Sequence, residues 1–381
     1  MDPDALNLRH LASLAATVRL GSLSAAAQAI SLSQPALTQG LAKIERQFGE
    51  PLFERRPAGM SATPAALILA PRIEAALAHI ASPRVTMAQM RAFIALANAG
   101  SYSGASASTG LSQPTLHRAV GDLSLGLRRV LTERRGKGVA LTDAGRCTVR
   151  AFRLARAELV AGLSEVAALQ GHETGRITVG AMPLSRARLL PAAVIAFHRA
   201  HPHVEIRIVE GSHAELIEPL RDGEIDLLIG ALRDPPPGAD VVQETLFEDQ
   251  PVVIARAGHP LATTSTAIPS LLAAYPWTIS APGTPLRLLW ERMFARADVP
   301  TPAVPVECGS VITIRQMLLD SNFLTVLSPD QVAVELEAGW LTRIGEPPAE
   351  LFRKIGLTTR SGWRPTVIQQ NFIDTLQSLL S

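Results

Sequence analysis

Two short arrays of polar side chains have the types and spacing to do chemistry together. Ser33, Gln34, Pro35, Thr38, Gln39 and Lys43 form one, and Ser112, Gln113, Pro114, Thr115, His117 and Arg118 form the other. Amides, hydroxyls, an imidazole and cations carried along one helix face can donate and accept hydrogen bonds at the edges of nucleic-acid bases. Each array is followed by a basic run, Glu54-Arg55-Arg56-Pro57 and Glu133-Arg134-Arg135-Gly136-Lys137. Guanidinium and ammonium groups there suit phosphate oxygens, an attraction that does not depend on base sequence.

The arrays are related. Gly21-Ser22, Ser33-Gln34-Pro35, Arg55-Arg56 and Thr63 recur as Gly100-Ser101, Ser112-Gln113-Pro114, Arg134-Arg135 and Thr142, always 79 residues on. Residues 6–66 laid on 85–145 without a gap share 17 identities in 61, concentrated at turn and cap residues. This points to one supersecondary unit written twice.

The elements that must position the arrays follow from apolar spacing. Leu8, Leu11, Leu14, Ala15 and Val18 keep the period of an amphipathic helix that Gly21 ends. A short helix over 25–30 comes next. Ser33 then caps a third helix, in which Pro35 occupies the first turn and Leu37, Leu41 and Ile44 form the buried stripe. Leu52 to Met60 reads as two strands about a Pro/Gly turn, a basic wing. The second copy repeats the scheme through Met87, Met90, Phe93, Ile94 and Ala97, then 101–109, then the helix opened by Ser112. One such unit alone could belong to any small helical bundle. Two, each with a basic wing, point to winged helix-turn-helix modules that present a helix to the major groove of DNA.

Charge supports that reading once it is divided. Residues 1–150 hold 17 Lys and Arg against 9 Asp and Glu, whereas the remaining 231 hold 19 against 25. A basic first part joined to an acidic remainder fits a nucleic-acid module attached to a domain that stays off DNA. With 47% hydrophobic and 18% charged residues the chain is globular rather than disordered. Cys147 and Cys308 stand far apart with no Cys or His spaced around them as metal ligands, so no disulfide framework, metal site or cofactor is expected. The N-terminus lacks the features of a signal peptide and no long uncharged apolar run occurs, so a cytoplasmic protein without membrane contact is expected.

Thr142 is placed to cap a long helix over 143–170 whose apolar residues, among them Val149, Phe152, Leu159 and Val166, call for a partner helix from a second subunit. Beyond Gly175 strands and helices alternate: strands at 177–180, 204–209 and 225–229, helices at 189–200 and 214–221, which predicts βαβ units in a largely parallel sheet. A second set of elements begins at Pro251, with helices at 286–297 and 312–319. The strand Phe323 to Leu327 is then expected to return to the first sheet, and a helix over 367–380 to close the chain. The motifs that mark enzymes (HExxH, GxSxG, a P-loop, or GxGxxG opening a helix) do not occur, and His201-Pro202-His203 reads as an exposed loop. No catalytic residue is assigned.

At this point the chain resembles a known family. Leu8 to Ala66, with Ser33-Gln34-Pro35-Ala36-Leu37 and Leu52-Phe53-Glu54-Arg55, is similar to the DNA-binding domain of LysR-type transcriptional regulators. Leu189-Leu190-Pro191, His201-Pro202-His203-Val204-Glu205 and Leu220-Arg221-Asp222-Gly223-Glu224-Ile225-Asp226 resemble the start of their effector-binding domain. His259-Pro260-Leu261 and Pro282-Gly283-Thr284-Pro285-Leu286-Arg287 resemble the subgroup around the galactose-binding-protein regulator. The resemblance implies a regulator that binds operator DNA, responds to a small effector between two lobes like those of periplasmic binding proteins, and acts as a homodimer or homotetramer, with RNA polymerase as a further partner. A sugar, an aromatic acid or another small carboxylate is the implied class of effector. Candidate contacts at strand ends and helix N-termini are Met182, Ser185, Ser212, Ala231, Thr284 and Ser310.

The expected organisation is therefore multi-domain. Two tandem all-α winged helix-turn-helix domains (1–82 and 83–142) precede a linker and dimerisation helix (143–172) and a two-lobed α/β effector domain (173–381). Lobe I takes about 173–250 and 328–381, and lobe II about 251–327. The rival expectation is a soluble small-molecule-binding or enzymatic α/β protein whose helical repeats do not touch DNA. The duplication departs from the resemblance, and the copies differ: Gln39 stands opposite Arg118, and the Phe48-Gly49 connection of the first copy is absent from the second.

Overall fold

A computed structural model describes residues 2–56, 59–136, 138–172, 175–346 and 351–380, without the side chains of Arg55 and Arg56. The chain forms two compact units, Met1–Gly175 with Asp222–Glu224, and Arg176–Arg221 with Ile225–Ser381.

In the first unit the order helix, helix, helix, hairpin, helix occurs twice. It runs α1 (Leu8–Leu20), α2 (Leu23–Ala29), α3 (Gln34–Phe48), β1 (Phe53–Arg56), β2 (Gly59–Ala62) and α4 (Pro64–Ile80). It then repeats as α5 (Met87–Ala99), α6 (Tyr102–Thr109), α7 (Gln113–Leu127), β3 (Thr132–Arg135), β4 (Gly138–Leu141) and α8 (Asp143–Leu169). Corresponding residues do the capping. Ser22 and Ser101 accept the amides of Ala25 and Gly104, Ser33 and Ser112 those of Ala36 and Thr115, and Thr63 and Thr142 those of Ala66 and Gly145. Each hairpin is antiparallel, with Arg55 opposite Met60 in one and Arg134 opposite Val139 in the other.

The copies part company after the third helix. The Glu45 carboxylate accepts the amides of Leu52 at 2.9 Å and Phe53 at 3.2 Å, tying the first wing to α3. The residue in the same place of the second copy is Ser124, which is too short for that reach. Where α3 ends on Gly49 at φ 74°, α7 ends on Arg128 at φ 54°, a left-handed conformation in which a side chain is strained.

One apolar core runs through both copies, from Leu11, Leu14, Leu37 and Ile44 to Met90, Phe93 and Leu123. It also takes in Leu69, Ile73 and Ala76 of α4 and Val149, Phe152, Ala155, Leu159 and Val166 of α8. The expectation that the apolar side of the 143–170 helix needs a second subunit is thereby corrected: α4 of the same chain covers it, and Phe93 of α5 meets Phe152 edge-on at 6.2 Å. α4 is an element to which the sequence reading gave no assignment. Pro64 falls at the first helical position, where its missing N–H costs nothing, and burial of eight α4 residues offsets the hydrogen bond lost at Pro71.

The second unit holds β5 (Gly175–Ala181), α9 (Leu189–Ala200), β6 (Val204–Glu210), α10 (His213–Arg221), β7 (Leu227–Ala231), β8 (Val241–Asp249) and β9 (Val252–Arg256). There follow α11 (Pro269–Leu272), β10 (Thr278–Ile279), α12 (Pro285–Arg296), β11 (Val306–Glu307), α13 (Val311–Leu319) and β12 (Thr325–Leu327). The chain finishes with α14 (Ala333–Glu337), β13 (Leu341–Arg343), β14 (Arg353–Arg360) and α15 (Val367–Ser378). Lobe I is a five-stranded sheet in the order β6-β5-β7-β14-β8, covered by α9 and α15 on one face and α10 on the other. Lobe II carries the sheet β12-β9-β13 and the pair β10-β11. Its core stacks Trp277, Trp290 and Phe294 edge to face.

Two expectations change here. Phe323 to Leu327 does not return to the first sheet: Thr325–Leu327 pairs antiparallel with β9 inside lobe II, and with β13 also on β9 and Ile344 and Leu351 in the same core, lobe II runs well past 327. The strand that returns is Arg353–Arg360, which slots between β7 and β8 antiparallel to both, so the first sheet is mixed. Thr325–Leu327 is a very short run and Arg353–Arg360 mixes cations and threonines with Ile355 and Leu357, and nothing in either says which sheet edge will accept it.

Candidate nucleic-acid interface and effector cleft

α3 and α7 each divide into a buried and an outward side. Leu37, Gly40, Leu41 and Ile44 are buried on α3, and Leu116, Val120 and Leu123 on α7. Ser33, Gln34, Pro35, Thr38, Gln39 and Lys43 are exposed, as are Ser112, Gln113, Pro114, Thr115, His117 and Arg118. Within the arrays, Thr38 Oγ1 donates to the Gln34 carbonyl at 3.0 Å, and the Ser112 and Thr115 hydroxyls lie 2.8 Å apart. The His117 ring is held flat against Tyr102 of α6, centroids 3.5 Å apart. Arg134 and Arg135 are exposed on the second wing, and Gly136 makes its turn at φ 58°. Arg55 and Arg56 lie on the first wing with their side chains outside the description, and Lys137 is outside the described residues.

Sequence reading missed the neighbours of Lys43. Asn7, His10, Arg46 and Gln47 join it around a cavity of about 330 Å³. Burial, then the charge of Lys43, hold the His10 imidazole below its ordinary pKa, so near neutral pH the positive charge of this groove comes from Lys43 and Arg46.

In the second unit the candidate effector contacts fall on loops and caps as follows. Met182 is buried, its side chain against Gly230, where a Cβ would come within 2.5 Å of it. Ser185 is buried and donates to the Met182 carbonyl at 2.8 Å. The Ser212 hydroxyl and amide both donate to Glu215 at 2.8 Å, which holds that carboxylate below its usual pKa. Thr284 caps α12 and meets the Ser280 hydroxyl at 2.8 Å, and Ser310 caps α13. Ala231 ends β7, half-buried.

The groups with unspent hydrogen-bonding capacity are different ones. Arg233, two residues past β7, sends Nη1 to the carbonyl of Gly283 at 2.9 Å, linking lobe I to the loop before α12 in lobe II. Among the described residues its Nε, a buried atom, has no hydrogen-bond partner, and neither has Nε2 of His213 at the start of α10. Burial, then the charges of Arg233 and Arg221, lower the His213 pKa. A half-buried cation and a half-buried imidazole, each with an unused buried nitrogen, suit an anion such as a carboxylate. The signal available in the sequence was an arginine just beyond the strand-end pair Gly230-Ala231.

Comparison with known proteins decides the family. Residues 170–381 match the model of the LysR substrate binding domain, and residues 8–67 and 87–146 each match that of the bacterial regulatory helix-turn-helix protein, lysR family. The chain belongs to the LysR family of transcriptional regulators. The HTH-type transcriptional regulator GalR of Pseudomonas putida is 32% identical to it over 375 residues, 95% of this chain and 94% of that one. The HTH-type transcriptional regulator CbbR of Xanthobacter flavus is 30% identical over 68% of this chain and 78% of its own. Among solved structures, a single-substitution variant of full-length OxyR from Pseudomonas aeruginosa aligns with a TM-score of 0.58 and 25% identity, over 77% of this chain and 93% of its own.

As a LysR regulator the protein binds DNA through its N-terminal helix-turn-helix region and carries an α/β effector-binding domain; it is a transcription factor, like these relatives, and not an enzyme. Among the described residues no helix is long and apolar enough to cross a membrane.

Proposed function

We propose that both winged modules of this LysR regulator read operator DNA, α3 and α7 each entering a major groove while the wings hold phosphates. The observation that carries the reading is the matching outward stripe on the two helices, opposite buried stripes that fix which side faces out. Gln34, Gln39, Gln113 and Arg118 are the base readers, since glutamine pairs with adenine and arginine with guanine. Ser33, Pro35, Ser112 and Pro114 set the helix entry, and Thr38, Thr115, His117 and Lys43 line it. Arg55, Arg56, Arg134, Arg135 and Lys137 supply the phosphate contacts. Family matches to both segments, and an alignment with the Pseudomonas putida regulator long enough to run through both, support treating the modules as a tandem duplication.

In the same reading, modules over 1–82 and 83–142, a linker helix over 143–172 and an effector domain over 173–381 form a cytoplasmic homodimer or homotetramer that works with RNA polymerase. A small carboxylate sits between the lobes on Arg233 and His213, near Ser212, Ala231, Thr284 and Ser310. Met182 and Ser185, both buried, shape the wall. Closure on that ligand changes the grip on DNA only as far as the ligand prefers one assembly state.

Separate footprints of Gln39→Ala and Arg118→Ala test the base-reading claim. Each loses protection at its own bases, with affinity down by about 1–3 kcal/mol. If either variant leaves every protected base unchanged, that module is a spacer.

A further inference from the structure

Arg72 of α4 is a charged side chain only 7% exposed. Its Nε and Nη2 donate to the two carboxylate oxygens of Glu165 on α8, at 3.1 and 2.6 Å, and its Nη1 donates to Glu158 at 3.1 Å. The two glutamates stand two helical turns apart and so share one side of α8. Between them lies Gly162, whose lack of a side chain admits α4: a Cβ there would sit 3.1 Å from Cβ of Arg72 and 3.3 Å from Cδ2 of Leu69. Burial opposes the guanidinium charge, and the hydrogen bonds and charges of Glu165 and Glu158 outweigh it, raising the pKa.

This triad forms only between unlike helices. The residues 79 positions away from Arg72, Glu158 and Glu165 are Ala151, His79 and Thr86. Two α8 helices laid together on this side would bring Glu158 and Glu165 to the contact without Arg72, and two α4 helices would bury Arg72 twice without those carboxylates. An unpaired buried charge is strongly destabilising, so both like pairings are selected against. The same two helices continue directly from the wings: α4 starts after Thr63 and α8 after Thr142. Through Leu69, Ile73, Phe93 and Phe152 they share one core with the modules they follow.

We infer that α4 and α8 form an intrachain clasp, pinned by Arg72, Glu158 and Glu165, which holds α3 and α7 of one chain in a fixed relative pose. A single chain thereby grips two half-sites of fixed spacing on double-stranded DNA. The inference rests on the reading that both modules contact bases.

The full-length chain tests this on duplexes that it selects itself from a randomised pool of roughly 40 base pairs, about four helical turns. Counting chains per duplex by light scattering and half-sites by hydroxyl-radical footprinting gives two half-sites per chain. Inserting about five base pairs between them, half a turn, weakens binding at least tenfold. Arg72→Glu sets three carboxylates together and abolishes that spacing preference, and adding Glu165→Arg with Glu158→Gln restores it. Should Arg72→Glu fail to fold, Arg72→Cys with Gly162→Cys, in a chain with Cys147→Ser and Cys308→Ser, reports the same contact: on oxidation it runs as a single cross-linked chain. Cross-linked dimers overturn the inference. So do two half-sites per chain with no spacing preference, although that result leaves both modules as readers. One half-site per chain instead defeats the reading on which the inference rests.

Discussion

The carboxylate of Glu45 gives a sharp test of how the first wing is held. It is the acceptor for two backbone amides, those of Leu52 and Phe53, whose residues are 0% and 7% exposed. Glu45→Ala leaves both donors without a partner in a place water does not reach. Hydrogen bonds to a charged group contribute about 1.5–3 kcal/mol each, and two that share one oxygen lose about 2–4 kcal/mol together. For a unit of this size that lowers the melting temperature by roughly 5–15 °C. Ser124→Ala, the same change at the same place of the second copy, removes no such acceptor and stays within about 0.5 kcal/mol. Calorimetry compares the two variants, and amide hydrogen exchange at Leu52 and Phe53 locates the effect. Exchange there accelerates in Glu45→Ala, with footprint protection lost beside the first wing and kept beside the second. Equal melting temperatures for the two variants, or unchanged exchange at Leu52 and Phe53, would refute the argument.

Other consequences are open to direct measurement. Arg128→Gly relieves a left-handed residue at the end of α7 and raises stability by about 0.5–1 kcal/mol, read by urea unfolding; a loss of stability would show that the Arg128 side chain does more than tolerate its backbone. Gly145→Ala pushes a methyl to 2.0 Å from the Leu131 carbonyl oxygen, so α8 must separate from the second wing; lost protection of the β3–β4 amides is expected, and an undisturbed hairpin would contradict it. Arg233→Gln removes the cation of the cleft and weakens small aromatic and aliphatic carboxylates at least tenfold (about 1.4 kcal/mol) in ligand-induced thermal shifts, with neutral sugars unaffected. His259, buried, accepts the Leu261 amide on Nδ1 at 3.1 Å, and burial lowers its pKa. The neutral ring is the folded form, so its contribution is whole above the ordinary pKa of about 6.5 and is lost as pH falls through the lower folded value. His259→Gln flattens the dependence of melting temperature on pH between roughly 7.5 and 5, and an unaltered slope would exclude this histidine.

Much of the molecule was legible from residue order, for a physical reason. Caps and helix stripes are local: Ser33, Pro35, Leu37, Leu41 and Ile44 define α3 and its outward face within a dozen residues, and Ser112 to Leu123 do so for α7. The exposed polar arrays here proposed to read DNA could thus be located on one helix side before any fold was known. Contacts between distant segments could not. Composition does not say that an Ala-rich stretch with two prolines will lie along α8 and bury Arg72 between Glu158 and Glu165. Nor does it say that Thr325–Leu327 pairs with β9 while Arg353–Arg360 crosses back to the first sheet. The same holds for Arg233, an ordinary surface arginine by sequence, whose buried Nε and reach to Gly283 exist only once two lobes face each other. Burial and pairing are properties of what surrounds a residue, and for these residues the surroundings come from chain 50 positions away or more, where no periodicity reaches.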